Sequence, residues 1–235
     1  MIDGKRVLAV IAARGGSKGL PRKNVLDLGG RPMVAWSVVA AHGAATVDRT
    51  VLSTDDDEII AAARAAGCEV PFKRPPELAT DTAGIQDAMI HALDSLGEDP
   101  DYLVLLQATS PLRHAADIDA AVELCHRSGA SSAVSVTEAA KAPFWMFTLD
   151  GDGGMHRVVE PPGEAGRRQD LPRCYALNGA VYVVRLPWFR ENRKFIADDT
   201  RAYVMTADRS VDVDSRLDLL LARAILADRT GECDA

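Results

Sequence analysis

The stretch "AARGGSKGLPRKN" at residues 12–24 gathers Arg14, Lys18, Arg22 and Lys23 into one short glycine-rich loop. The chain around it is acidic, with a formal net charge of -7. Glycines let backbone N–H groups approach a phosphate closely, and the cations neutralise its charge. The spacing fits neither GxxxxGK[ST] nor GxGxxG, which excludes a Walker A loop and a dinucleotide fingerprint. Two readings stay open from the loop alone: a solvated basic turn, or a seat for a small polyanion. Far along the chain, "SVDVDS" at 210–215 sets Asp212 and Asp214 two residues apart. On a strand that spacing puts both carboxylates on one face, with Val211 and Val213 on the other. Such a pair can hold a hard divalent cation such as Mg²⁺. Asp214 can equally cap a helix starting at 215. Beside a phosphate loop the balance moves to metal, because triphosphate chemistry brings Mg²⁺ with it.

These groups need elements to position them. "RVLAVIAA" (6–13) is an unbroken apolar run of strand length, the pattern of a strand buried on both faces. "TVLST" (50–54), "YLVLLQ" (102–107), "SSAVSVT" (131–137), "NGAVYVV" (178–184) and "RSVDVD" (209–214) are the further expected strands. Helices are expected at 32–45, 55–67, 84–97, 114–129 and 215–228; Pro32 suits a first turn, and the second helix opens on acids and ends at Gly67. This alternation implies an α/β protein, an open and mostly parallel sheet with helices on both faces. In such a sheet, ligands sit beyond the carboxyl ends of the strands, where the 14–23 loop leaves.

The rhythm breaks between about 139 and 177, which is rich in Gly, Pro and Arg and carries the cluster "FWMF". This reads either as a surface insertion or as an arm that packs on a partner subunit, since Phe144, Trp145 and Phe147 are costly to leave wet. The 235 residues suit one domain carrying that insert. An acidic chain is a poor general nucleic-acid binder. No apolar run reaches membrane-span length or makes a signal peptide. Cys68, Cys125, Cys174 and Cys233 form no metal-ligand spacing, and a chain this long does not need the two disulfides they could make, so a reducing, cytoplasmic location is expected.

Five stretches carry a resemblance: "IAARGGSKGLPRKN", "KRPPELATDTA" (73–83), "LLQATSPLR" (105–113), "RRQDLPRCYALNGAVYV" (167–183) and "SVDVDS". In this order, over roughly 5 to 225, they are similar to the CMP-sialic acid synthetases, cytidylyltransferases that activate nonulosonic (nine-carbon 2-keto) sugar acids. The resemblance implies a three-layer, Rossmann-like nucleotide-diphospho-sugar transferase fold with a dimerisation insert, CTP and a nonulosonic acid as substrates, Mg²⁺, and a homodimer. It implies that Arg14, Ser17, Lys18 and Lys23 hold the CTP phosphates, with Asn24 near the nucleotide and Lys23 at the α-phosphate. Arg74 and Ala83 match positions around cytosine and ribose. Gln107, Tyr182 and Phe195 match sugar-contacting positions, Asn178 an active-site position, and Asp212 and Asp214 the metal pair. Arg14, Lys18, Lys23 and Asp214 would carry catalysis. Arg168 and Gln169 match a segment contributed from a neighbouring subunit, where a guanidinium could pair with the sugar's carboxylate. The chain departs from the family at Gly84–Ile85, Trp145 and Ile196, and the last two suggest a more apolar sugar pocket. Alternatives are a cytidylyltransferase for another sugar acid such as Kdo, and a catalytically silent nucleotide-binding relative.

Overall fold

The computed structural model describes residues 1–17, 19–162 and 171–231. Numbered along the chain, its strands are β1 (Val7–Ala12), β2 (Asp27–Leu28), β3 (Arg31–Pro32), β4 (Arg49–Ser53), β5 (Tyr102–Gln107), β6 (Ser132–Glu138), β7 (Phe147–Leu149), β8 (Met155–Arg157), β9 (Tyr175–Arg185) and β10 (Arg201–Met205). The helices are α1 (Met33–Gly43), α2 (Asp57–Ala65), α3 (Ile85–Leu96), α4 (Ala115–Ser128), α5 (Leu186–Asn192) and α6 (Arg216–Thr230). Six strands make one sheet in the order β10-β6-β9-β5-β1-β4. β1 runs parallel to β4 and β5, and β10 parallel to β6, while β9 lies antiparallel between β5 and β6. The expected mostly parallel sheet is present.

The apolar strands follow from having both faces covered. Val7, Ala9 and Ile11 of β1 join a core with α1, α2 and α4. Leu8 and Val10 point the other way, to a core with α3 and α5. A third cluster packs α6 through Leu219, Ala222 and Leu226 against Leu28, Met33, Leu112, Val211 and Val213. Among the described residues, no helix is long and apolar enough to cross a membrane.

One strand expectation is corrected. Residues 209–214 form no strand: Arg209 and Ser210 close a 3-10 turn on Thr206 and Ala207, and beyond it Val213 N–H bonds the Thr109 carbonyl at 2.7 Å. The side-chain alternation survives, because Val211 and Val213 are drawn into the α6 cluster rather than into a ladder. The sixth strand is β10, an edge strand whose first four residues are exposed or half-buried, and α5 is a helix the periodicity did not suggest. In the insert, one 3-10 turn (Pro143–Trp145) and the β7–β8 ribbon are described. Of the three aromatics in its "FWMF" cluster only Phe144 is buried; Trp145 is 44% exposed.

Candidate active site

The sheet reverses its order at β1, which has β4 on one side and β5 on the other. Loops leaving β1 and β5 therefore part in opposite directions and open a crevice at the carboxyl edge. Ala12 and Gln107, the last residues of these strands, are register partners. Both line a cleft of about 240 Å³, to which the glycine-rich loop contributes Arg14, Lys23 and Asn24. Arg74, Ile85 and Thr109 line it too, and Asp212 and Asp214 close it from the far end of the chain. The loop cation and the acidic segment, 191 residues apart, meet directly: Lys23 Nζ lies 2.5 Å from Asp214 Oδ1.

Carboxylates and carbonyls hold the loop in place. Arg14 donates to the Thr80 carbonyl at 3.0 Å and pairs with Asp81 at 2.9 Å. Gly15 N–H donates to Asp55 at 3.0 Å, and Arg22, in a left-handed conformation (φ 57°), pairs with Glu58. Asn24 is 3% exposed; its amide donates to the Arg14 carbonyl at 2.9 Å, and its Oδ1 is buried without a partner. Gly19 abuts the acidic segment so closely that a Cβ there would stand 2.6 Å from the Asp214 carbonyl oxygen. Arg74 is fixed by the Ser53 hydroxyl (3.0 Å) and carbonyl (2.6 Å). Burial lowers its pKa to about 10, with Asp55 opposing that shift, so its charge persists at neutral pH.

The cap of α6 decides what Asp214 does. Ser215 is the N-cap, accepting from Asp218 N–H, and the Asp218 carboxylate returns bonds to Ser215 N–H (2.8 Å) and Asp214 N–H (3.2 Å). This is a reciprocal capping box. The alternative that Asp214 caps the helix is thereby overturned, and its carboxylate is left to face Lys23. Asp212 is half-buried, and burial pushes its carboxyl above the ordinary value; the Thr109 hydroxyl works against this and the Asp214 charge adds to it. Its Oδ1 is buried with no hydrogen-bond partner. Among the described residues no cluster of three His, Cys, Asp or Glu could hold a metal ion by itself. The pair, with its unpartnered buried oxygen, would suit a hard divalent cation.

A second chamber of about 310 Å³ adjoins the cleft, sharing Ile85 and Gln107 with it. Tyr182, Phe195, Leu105 and Ile196 wall it, with Gln86 and Lys194 completing the lining. Tyr182 and Phe195 meet edge-to-face at 5.7 Å, and burial followed by the Asp212 charge raises the Tyr182 phenol. Gln107 is set from behind by Arg113, a 3%-exposed guanidinium that bonds the Ser37 hydroxyl at 2.6 Å and the Gln107 carbonyl. The β9 register slips between Val134–Tyr182 and Val136–Leu177, a bulge containing Gly179 at φ 71°. A Cβ at Gly179 would stand 2.7 Å from Gln107 Oε1, so glycine there leaves room for the amide.

The structure brings nine sequence-predicted residues to the two compartments: Arg14, Lys23, Asn24, Arg74, Gln107, Tyr182, Phe195, Asp212 and Asp214. Ser17 and Ala83 line neither compartment. Asn178 is spent inside the fold, accepting from Ser135 (2.6 Å) and donating to Ser210 (2.9 Å) behind the β9 bulge. Lys18, Arg168 and Gln169 lie outside the described residues. Sequence reasoning missed Thr109, Gln86 and Lys194 as site residues. Thr109 stands two positions past the strand "YLVLLQ", at the ligand edge, which is a usable signal; Gln86 and Lys194 carry none.

The fold is similar to a solved structure described as CMP:2-keto-3-deoxy-manno-octonic acid synthetase complexed with CTP, with a TM-score of 0.72 over 95% of this chain and 99% of that one. At 19% identity this likeness speaks for the fold. Residues 8–149 match the family model described as cytidylyltransferase, and the chain belongs to that family of nucleotidyltransferases. Among its relatives, the CMP-N,N'-diacetyllegionaminic acid synthase of Legionella pneumophila is 34% identical over 231 residues, covering 94% of this chain and 96% of the relative. The N-acylneuraminate cytidylyltransferase of Streptococcus agalactiae is 35% identical over 215 residues, covering 91% of this chain and 51% of the relative.

Proposed function

We propose that this chain transfers CMP from CTP to the anomeric 2-hydroxyl of a nonulosonic acid, giving the CMP-sugar and pyrophosphate. The observation that carries this reading is the contact of Lys23 with Asp214, at a cleft that opens into an apolar-walled chamber. One compartment has the charge for a triphosphate; the other has the walls for a sugar acid. Arg14, Ser17, Lys18 and Lys23 hold the phosphates, and Arg14, Lys18 and Lys23 neutralise the charge that grows on the departing pyrophosphate. Asn24 fixes the loop beneath the nucleotide, and Arg74, which lines the cleft, serves the cytosine and ribose. Gln107, Tyr182 and Phe195 orient the sugar so that its 2-hydroxyl faces the α-phosphorus in line with the leaving group. Asn178 supports that wall from within, and Asp214 keeps Lys23 aimed into the cleft.

Asp212 and Asp214 are the residues that would hold Mg²⁺, and the unpartnered buried oxygen of Asp212 fits that role. When bound, the ion supplies charge on phosphate oxygens and lowers the pKa of the attacking hydroxyl. The protein works as a homodimer, its arm covering exposed Trp145, Met146, Phe147 and Leu149 and its Arg168 and Gln169 reaching the neighbouring sugar site. Pyrophosphate release, measured with CTP, Mg²⁺ and a panel of nonulosonic acids plus Kdo, tests the reading. Turnover of nonulosonic acids is the expected result. Exclusive use of Kdo would reassign the substrate, and silence across the panel would overturn the activity.

A further inference from the structure

Asp212 and Asp214 stand on a segment that joins no sheet, although holding a cation between them needs two carboxylates in a fixed relation. A buried ion pair outside the cleft holds that segment at its upstream end. We propose that Arg209 and Asp117 are a positioning pair for the cation site, an assignment that rests on Asp212 and Asp214 being the residues that hold the ion.

Carboxylates on a paired strand inherit their spacing from the ladder. Between β10 and α6 the chain has no ladder, and other contacts must do that work. In the middle, Val213 N–H bonds the Thr109 carbonyl at 2.7 Å. Downstream, the Asp218 carboxylate of the α6 cap takes the Asp214 and Ser215 N–H groups. Upstream lies the 3-10 turn Ala207–Arg209, which two arginines tie down. Arg229, in the last turn of α6, bonds the Asp208 carboxylate at 2.9 Å and its carbonyl at 3.1 Å. Arg209 reaches the other way, into the fold. Its guanidinium lies 2.9 Å from Asp117 Oδ1 of α4, and its Nε donates to the Thr206 hydroxyl at 3.1 Å.

The two ties differ in kind. The Arg229–Asp208 pair lies partly in solvent, where an ion pair holds little. Asp117 is 0% exposed, and a buried charge is tolerated only when its oxygens are satisfied. They are: Oδ1 also accepts from the Tyr203 hydroxyl of β10 at 3.0 Å, and Oδ2 from His114 N–H at 2.8 Å. One carboxylate therefore joins α4, the edge strand and the turn that leads to Asp212. The sheet does not need this contact, because β10 is already paired with β6 from Arg201 to Met205. The turn that follows it does. Groups that fix a ligating carboxylate from outside tune how tightly the ion is held.

The test reads cation binding directly, by electron paramagnetic resonance titration of the full-length protein with Mn²⁺. The Mg²⁺ dependence of pyrophosphate release is measured beside it. Arg209→Met should weaken Mn²⁺ binding and raise the half-maximal Mg²⁺ concentration about tenfold each, with KM for the sugar acid within about twofold. Turnover should return at saturating Mg²⁺, and Arg209→Lys should recover most of the affinity. Asp117→Asn removes the buried charge while keeping the side chain's shape, so it probes the same tie should the methionine variant fail to fold; it should weaken Mn²⁺ binding too. A lower melting temperature with unchanged Mn²⁺ affinity in these variants makes the pair a structural tie alone and overturns the proposal. Mn²⁺ binding that is absent from the wild type, or that survives Asp212→Asn, overturns the cation site itself and the assignment with it. A wild type that binds Mn²⁺ but releases no pyrophosphate with any sugar acid fails the transfer reading instead, and the Mn²⁺ titration still decides Arg209.

Discussion

Asp212 is held under two opposed influences, burial that favours its neutral form and the metal-holding role proposed for it, which needs its charge. An acid whose folded pKa lies above its unfolded value costs stability once the pH exceeds the folded pKa, and costs nothing below the unfolded value. Asp212→Asn, melted without metal, should therefore raise the melting temperature at neutral pH, with the gain shrinking as pH falls through the carboxylate range. Circular-dichroism melts across that range check the sign, and a gain that grew toward acid would contradict it. The same variant should lose nearly all turnover, as a functional carboxylate does and a structural one does not. For Lys23→Ala we expect kcat to fall by about 100-fold, the scale of one lost transition-state donor, with the melting temperature little changed. At this scale the sequence was partly readable. The types in the loop and in "SVDVDS" left an anion seat and a cation-binding pair of carboxylates open among other readings, but nothing local could say that Lys23 and Asp214 touch, because 191 residues separate them. Lys194 gave no signal for a different reason: a lysine just past a short helix looks like any surface lysine until the second chamber it lines is seen.

Helix α6 and strand β9 show how elements aim those residues. The capping box of α6 occupies Ser215 and Asp218 and so frees Asp214. Ser215→Ala should cost about 1 kcal/mol of stability, lowering the melting temperature by about 2–4 °C, and should also weaken turnover through the Asp214 backbone. Differential scanning calorimetry with a steady-state assay separates the two effects. The bulge in β9 makes a sharper prediction. Gly179→Ala places a methyl against the Gln107 amide and strains a left-handed backbone. It should raise KM for the sugar acid far more than KM for CTP, and equal increases would argue that Gln107 does not serve the sugar side. The apolar runs of β1, β5 and β6 were readable because a strand covered on both faces has no polar alternation to confuse. The V-D-V-D segment misled because its alternation is produced by packing on α6, not by a ladder. β10 escaped notice for the converse reason: as a largely exposed edge strand, it keeps little apolar pattern.

At the scale of the molecule, the insert stands out among the described residues for its exposed apolar side chains. Trp145, Phe147, Leu149 and Met155 stand on one turn and one two-stranded ribbon, too small a structure to bury them alone. On the proposed homodimer, the wild type should sediment as a dimer, and replacing Phe147 and Leu149 together by Asp should give a monomer with the far-ultraviolet spectrum intact. A dimer that survives the double change would place the interface elsewhere. The order of the sheet was readable only as a class, since alternating strands and helices specify parallel crossovers but not that one late strand runs backwards between earlier ones.

That late strand has a consequence for how the chain comes together. β5 and β6 are near in sequence, yet they are not neighbours in the sheet; β9 separates them and bonds to both. Until residues 175–185 have been synthesised, β4, β1 and β5 can pair among themselves, while β6 has no edge to join. Pairings of such long separation close slowly. Pulsed hydrogen exchange during refolding should accordingly show β1 amides protected first, and those of β6, β9 and β10 together and later. The sheet is zipped from its middle by its penultimate strand, and a ribosome-bound chain ending before 175 would hold the glycine-rich loop on a half-sheet with an open edge.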